Sequence, residues 1–424
     1  MTAFFNNLLN FIKLSRYPIS RLVIEMQSYF NFLKSLSKKT DLVFEGSYDK
    51  QNILIIALYE NNEIRNDILN LLKVAKDNNL FIICVNTLKI INKQRYKGLM
   101  DCYIERYNFG RDFGSYQEGI LYLMKHNLLE ECPRLILLND SVFYSENNLN
   151  NFISSLTNTE IDVLGATENH EIDHHLGSFC LSMSNSVLVN NKFTRFWKHY
   201  KKSDARPKVI KYGEMRLSKI LKKCALSDQN FKALFDVDWF SETVNRKYET
   251  LNIIDLVGSD AKVSWRKPSL QSISDRVYKK YLRSNFLFVD GVDLSLNDTS
   301  KMDVLSYIDS KKRIVDYISQ LSKCDDKAGI SNRVDKEIIN ELIECFPIGS
   351  QIHQNAIILH HLGLPIIKLD GLYRGMFSVR DIELLIGQLS KKDAAFFRTL
   401  IYSKPYGGDV FIGFKLSSFE RGYI

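Results

Sequence analysis

Three short, uninterrupted apolar runs constrain the fold more than any other feature of the sequence: NILIIALY at 52–59, LFIICV at 80–85 and RLILL at 134–138. Continuous runs of this length, without polar alternation, read as strands buried on both faces, the habit of parallel sheets. DCYIERY at 101–107, DVLGAT at 162–167 and SFCLSM at 178–183 add further strands. Between them lie helical spacings. Ile64, Ile68, Leu71, Leu72 and Ala75 share one face, Tyr116, Ile120, Leu121 and Met124 another, and Leu149, Phe152, Ile153 and Leu156 a third. Alternating strands and helices predict an α/β domain: a mostly parallel, Rossmann-like sheet with helices on both faces. Its limits are placed at 46–245. Residues 1–45 read as two helices broken at Pro18. Residues 246–424 read as largely helical, with helical spacing at 310–322, 334–345 and 378–389, a strand and turn at 285–294, and a tail with no assignment.

Composition narrows the function classes. Seven cysteines, widely scattered and without a CxxC pair, indicate reduced thiols of a cytosolic protein rather than a disulfide framework or a cysteine zinc site. No apolar run approaches a bilayer span, and the N-terminus lacks the pattern of a signal peptide. The net charge of +8 is matched by one segment, 198–223, where ten Lys/Arg face only Asp204 and Glu214. That patch suits phosphates or an anionic membrane, or is a solvated helix face. It is too short, and the aromatics too core-like, for nucleic acid.

Polar clusters sit at the ends of two neighbouring strands. In parallel sheets, ligands bind at the carboxyl ends of strands. Asn108, Gly110, Arg111 and Asp112 follow the strand at 101–107; the glycines permit tight backbone, Arg111 suits phosphate and Asp112 suits a ribose or base hydroxyl. Asn139, Asp140 and Ser141 follow RLILL, where an acidic strand end can hold Mg²⁺ or Mn²⁺ at a nucleotide-sugar diphosphate, as in GT-A glycosyltransferases. Strand-end turns and helix caps use the same residues. GATENHEIDHHLGSF at 165–179 gathers Glu168, His170, Glu171, Asp173, His174 and His175; it can supply a general base or a His/carboxylate metal site, or be an exposed loop. Glu214 is the sole acid of the basic helix 208–223.

In order along the chain, NFGRDFGSY (108–116), LILLNDSVF (135–143), IDVLGATE (161–168), HLGSFCLSMS (175–184), FTRFW (193–197), VIKYGEMRLSKIL (209–221) and IHQNAIILHHLGLPIIKLDGLYRG (352–375) resemble the rhamnan synthesis F family of bacterial surface-polysaccharide glycosyltransferases. The resemblance covers about 50–225 and 350–376. It implies a GT-A-like domain at 46–245 that moves a sugar from a nucleotide-sugar donor to a lipid-linked or polysaccharide acceptor of capsule, O-antigen or rhamnan type. The place is then the cytoplasm, at the inner face of the cell membrane, with 246–424 on the acceptor side. By position, Asn108, Gly110, Arg111 and Asp112 fall to the donor nucleotide. Asp140, with Asn139 and Ser141, falls to the diphosphate and a divalent Mg²⁺ or Mn²⁺. His175, Ser178 and Glu214 fall nearer the reacting sugar. Residues 245–350 have no counterpart, and IHQNAII lacks an expected Asn-Pro. The competing reading is a non-catalytic α/β scaffold of a polysaccharide-assembly complex.

Overall fold

A computed structural model describes residues 2–246, 256, 312, 315–316, 318–320, 323–374, 377, 379–403 and 411–424, with side chains described from residue 18 onward. The strand and turn expected at 285–294 lie outside the described residues, as does part of the helix expected at 310–322.

The apolar runs become the centre of an eight-stranded sheet. Its strands are β1 (Asp41–Phe44), β2 (Ile53–Leu58), β3 (Phe81–Asn86), β4 (Cys102–Glu105), β5 (Arg134–Asn139), β7 (Val163–Gly165), β10 (Cys180–Ser184) and β11 (Phe231–Ala233), in the spatial order β1-β4-β3-β2-β5-β10-β7-β11. Every residue of β2, β3 and β5 is buried, which is why these runs carry no alternation. Helices α2 (Asn66–Asp77) and α3 (Arg111–Lys125) belong to separate apolar clusters on opposite faces of the sheet.

The sheet is mostly parallel but mixed: four of its seven pairings are parallel and three antiparallel. The exception in the interior is β10, antiparallel to both β5 and β7. A parallel return needs a crossover of a dozen or more residues, usually a helix. Residues 166–179 instead hold a small hairpin, β8 (Glu168–Asn169) with β9 (His175–Leu176), so the chain comes straight back.

Parallel strands flank β2 on both sides, β3 on one and β5 on the other. The chain order therefore reverses there, and the carboxyl ends of β2 and β5 bound the switch-point crevice. A second small sheet pairs β6 (Val142–Tyr144) with β12 (Ile366–Lys368), antiparallel and in register Ile366↔Tyr144 through Lys368↔Val142. The main core cluster draws on both sides of residue 246, and the Phe240 and Phe346 rings stack at 4.0 Å.

Helix α1 (Thr2–Leu36) runs through Pro18, where two helices were expected. A proline forfeits one hydrogen bond and strains one turn, and a helix anchored elsewhere can carry that cost. The anchor is a buried stripe: Ser20, Ile24 and Ser28, spaced four apart, are buried. The tail, unassigned from sequence, forms the helix Gly413–Glu420, which packs on α1 with Ser418 Oγ donating to the Ser20 carbonyl at 3.5 Å.

Candidate functional site

Asp112 opens α3 and Asn139 closes β5, and one hydrogen bond joins them: Asn139 Nδ2 donates to Asp112 Oδ2 at 2.9 Å. The Ser141 hydroxyl donates to Asn139 Oδ1 at 2.7 Å, and Lys368 Nζ donates to Ser141 Oγ at 2.6 Å. Donors thus run in one direction, Lys368 to Ser141 to Asn139 to Asp112. The sequence reading places the last three together. Lys368 was missed, because it arrives on β12 from 227 residues away. Its ammonium also lies 5.3 Å from the centre of the Phe179 ring. Burial pushes Lys368 below its ordinary value, opposed by the nearby charges of Asp112, Asp370 and Glu214.

Glu214 enters from the other side. It lies in a π-helical turn, Ile210–Met215, a distortion often found at functional sites. Its Oε1 accepts the Ser178 N–H at 2.9 Å, and the Ser178 carbonyl accepts the Tyr116 hydroxyl at 3.0 Å. The expected grouping of Glu214 with Ser178 is therefore a direct contact, and both approach Lys368.

A cationic wall borders this network. Asp370 is paired with Arg206 at 3.0 Å and with Arg374 at 2.8 Å. Burial alone would raise the Asp370 carboxyl, but the two guanidinium groups outweigh it and hold it well below the usual range. His353 is near enough to feel these charges; burial pushes it down to about 3, so it is neutral at pH 7, and its Nδ1 has no hydrogen-bond partner among the described residues. His353, Lys368, Asp370 and Arg374 lie in the segment 352–375, which resembles the family but carries no site role in the sequence reading; Arg206 belongs to the basic patch 198–223 that suits phosphates.

The loop before α3 is built by backbone constraint. Gly110 has φ +92°, and a Cβ there would lie 2.7 Å from the Lys202 Cβ. Arg111 also takes a left-handed φ of 53°. Beneath the loop, the buried Arg106 donates to the carbonyls of Phe109 at 2.5 Å and Arg111 at 2.6 Å, and to Ser115 Oγ at 2.9 Å. The Gly110 N–H donates to Asp204 at 2.8 Å, and Asp204 in turn accepts from Asn31 of α1 at 2.9 Å. Asn108 and Arg111 are exposed.

Two expected residues stand apart. His175 is buried, with Nδ1 2.6 Å from the Asp173 carbonyl and no described partner at Nε2. Asp140 was expected to face a metal, and is instead 2% exposed. One of its oxygens takes the Tyr59 N–H, and its carbonyl accepts from Arg65 Nη1 at 3.0 Å. Burial raises the Asp140 carboxyl to about 7, opposed by Arg65. The structure places Asp140 in the interior, against the Tyr59 end of β2 and beside Arg65. Asp140 belongs to a buried cluster with Glu60, Asp67 and Arg65, where Arg65 bridges Asp67 at 3.1 Å and Glu60 at 3.4 Å.

Residues 80–252 match the rhamnan synthesis protein F family. The matched stretch holds Asp112, Asn139, Ser141, Ser178 and Glu214; Lys368 lies outside it. The chain is 25% identical over 174 residues to the uncharacterized protein y4gN of Sinorhizobium fredii, an alignment that covers 40% of this chain and 45% of y4gN. It is 34% identical over 97 residues to the virulence protein VirA of Vibrio anguillarum, covering 22% of this chain and 30% of VirA. The chain spans less than half the length of these curated relatives.

Proposed function

We propose that the protein is a glycosyltransferase of surface-polysaccharide synthesis, moving a sugar from a nucleotide-sugar donor to a lipid-linked or polysaccharide acceptor at the cytoplasmic face of the membrane. The family match supports polysaccharide synthesis. The observation that carries the transfer reading is the hydrogen-bonded run Lys368–Ser141–Asn139–Asp112 at the switch-point edge, closed on its far side by Glu214. A nucleotide-sugar needs a polar partner for its nucleoside, positive charge for its diphosphate and a base near the reacting carbon. Asp112, at the start of α3, accepts from nucleoside hydroxyls. Lys368, flanked by Arg206 and Arg374, meets the diphosphate. In the reaction the sugar C1–O–phosphate bond breaks, the acceptor oxygen bonds to C1, and Glu214 takes the acceptor's proton. Charge then grows on the departing diphosphate, where a fixed ammonium in a partly dry site is most effective. Asp140 holds the Tyr59 end of β2 in place.

The test is a screen of UDP-, dTDP- and GDP-sugars by thermal stabilisation, followed by turnover of the sugar that binds. Binding at about 100 times Kd stabilises by about 2.7 kcal/mol. Lys368→Ala is expected to lower kcat by on the order of 10²–10³, the usual cost of one charge-stabilising donor, and Glu214→Gln to abolish transfer while leaving donor binding intact. Donor binding with no transfer or hydrolysis in the unaltered protein would establish the scaffold reading instead.

A further inference from the structure

The hairpin β8–β9 brings three metal-ligating atoms together. Glu168, His170 and His174 each offer one ligand atom, and all three lie within 4.8 Å of one another. Glu168 uses both oxygens: His170 Nε2 is 3.2 Å from one and His174 Nε2 is 3.3 Å from the other. The two imidazoles stack at 4.8 Å, so their Nε2 atoms meet the carboxylate side by side.

The two His–Glu separations, each to a different carboxylate oxygen, are close to a tetrahedral edge, and the three ligand atoms as a set lie within 4.8 Å. With metal–ligand bonds of about 2.0–2.2 Å, two ligands of a tetrahedral ion stand about 3.4 Å apart. Two imidazoles and one carboxylate form a set that suits zinc and its neighbours, whereas Mg²⁺ and Ca²⁺ prefer oxygen alone. The spacing is also that of a hydrogen bond, so the proposal must be tested against a plain Glu–His–His contact.

The surroundings favour a cation. The Glu168 side chain is only 13% exposed. Asp236 lies near enough for its charge to act on Glu168's, and Lys232 partly offsets Asp236. At the hairpin tip, Asp173 is already paired with Lys219 at 2.6 Å.

The backbone around the cluster is held. The Glu168 N–H donates to Gln351 Oε1 at 3.0 Å, the His170 N–H donates to the Gly349 carbonyl at 2.8 Å, and Asn169 bridges to Ser350. An ion held at this point would tie together both ends of the hairpin tip. Two residues after β9 comes Ser178, whose N–H holds Glu214.

We propose that Glu168, His170 and His174 form a binding site for a zinc-class divalent ion, with water completing the coordination, and that the ion pins the hairpin against the segment 349–351. The proposal is independent of the transferase reading, since its measurements use no sugar.

The experiment takes the full chain stripped with a chelator and titrates Zn²⁺ by calorimetry, with Mg²⁺ in parallel. One Zn²⁺ per chain is expected, with no Mg²⁺ uptake at the same concentrations. His174→Ala is expected to weaken Zn²⁺ by more than the about 10–100-fold that loss of an outer-shell partner costs, and His170→Ala with His174→Ala together to abolish it. Because the histidines are largely at the surface, circular dichroism of the variants should stay native. Co²⁺ supplies a second readout: the intense visible bands of a tetrahedral ion are expected in the unaltered protein and absent in the double variant. No Zn²⁺ uptake, uptake equal in the double variant, or a weak octahedral Co²⁺ spectrum would overturn the site and leave the three side chains a hydrogen-bonded contact.

Discussion

Among the described residues, Arg65 is the cation paired within a buried group of three carboxyls, Glu60, Asp67 and Asp140. Three ionised carboxylates against one guanidinium is an unfavourable balance in a dry site, and the protein resolves it by protonation. Burial raises Glu60 to about 8 and Asp140 to about 7, with Arg65 opposing in both cases. Both folded values stand above the ordinary carboxyl values of 4.5 and 3.8. The folded state therefore binds more protons than the unfolded chain across this interval, and stability falls as pH rises. The contribution is fully present below about pH 4 and is lost as pH climbs through 7 to 8. Urea titrations between pH 5 and 8.5 are expected to show the native state weakening toward the alkaline end, and Glu60→Gln to flatten that slope. Arg65→Met strands the carboxyls and should cost about 3–5 kcal/mol, with a smaller loss at pH 5, where Glu60 and Asp140 are protonated. A slope of the opposite sign would mean that the group is ionised in the native state.

At the scale of elements, α1 presents two stripes. The inner one, Ser20, Ile24 and Ser28, meets the helix Gly413–Glu420 and residues 203–208, with Ser28 Oγ 3.1 Å from Ser203 Oγ and Lys208 3.2 Å from Glu25. The outer one, Leu22, Met26, Tyr29, Phe30 and Leu33, is exposed; all but Leu33 line, with Glu25 and Lys208, an open cleft of about 300 Å³. Among the described residues no helix is long and apolar enough to cross a membrane. An apolar stripe beside Lys34, Lys38 and Lys39 instead suits lying on an anionic surface. Met26→Glu with Phe30→Glu is expected to lower co-sedimentation with anionic vesicles severalfold while the melting temperature stays put; unchanged partitioning would remove the membrane role. The strands at the sheet's centre were legible because full burial writes itself as unbroken apolar sequence. So were Asp112, Asn139 and Ser141, because a strand's polar end is adjacent to its apolar run. The direction of β10 was not legible, since it depends on what fills residues 166–179. Nor was the continuity of α1, since its anchor is a helix some 400 residues away.

Among the described residues, one core cluster is built from both sides of residue 246. β12 pairs with β6, Phe240 stacks on Phe346, and Leu364 and Ile366 join the same cluster as Leu138 and Val142. A division at 245 separates these partners, whatever the functional division of the chain. A fragment ending near residue 245 is expected to unfold with a broad, weakly cooperative transition and to bind a hydrophobic dye, as loosened packing does. A sharp, native-like transition in that fragment would show that the α/β part stands alone. Lys368 explains why the site as a whole was hidden from sequence: no local pattern near Ser141 announces a lysine that reaches it only through the β6–β12 pairing.

That pairing has a consequence during synthesis. At roughly 5–20 residues per second, a ribosome needs on the order of ten seconds to three-quarters of a minute to go from Ser141 to Lys368. Through that interval β6 has emerged without its partner, and its backbone edge is open to any passing strand. Contacts so distant along the chain also form slowly. The network from Lys368 to Asp112 is thus incomplete until that late stretch is made, and the open edge of β6 is exposed for the same length of time.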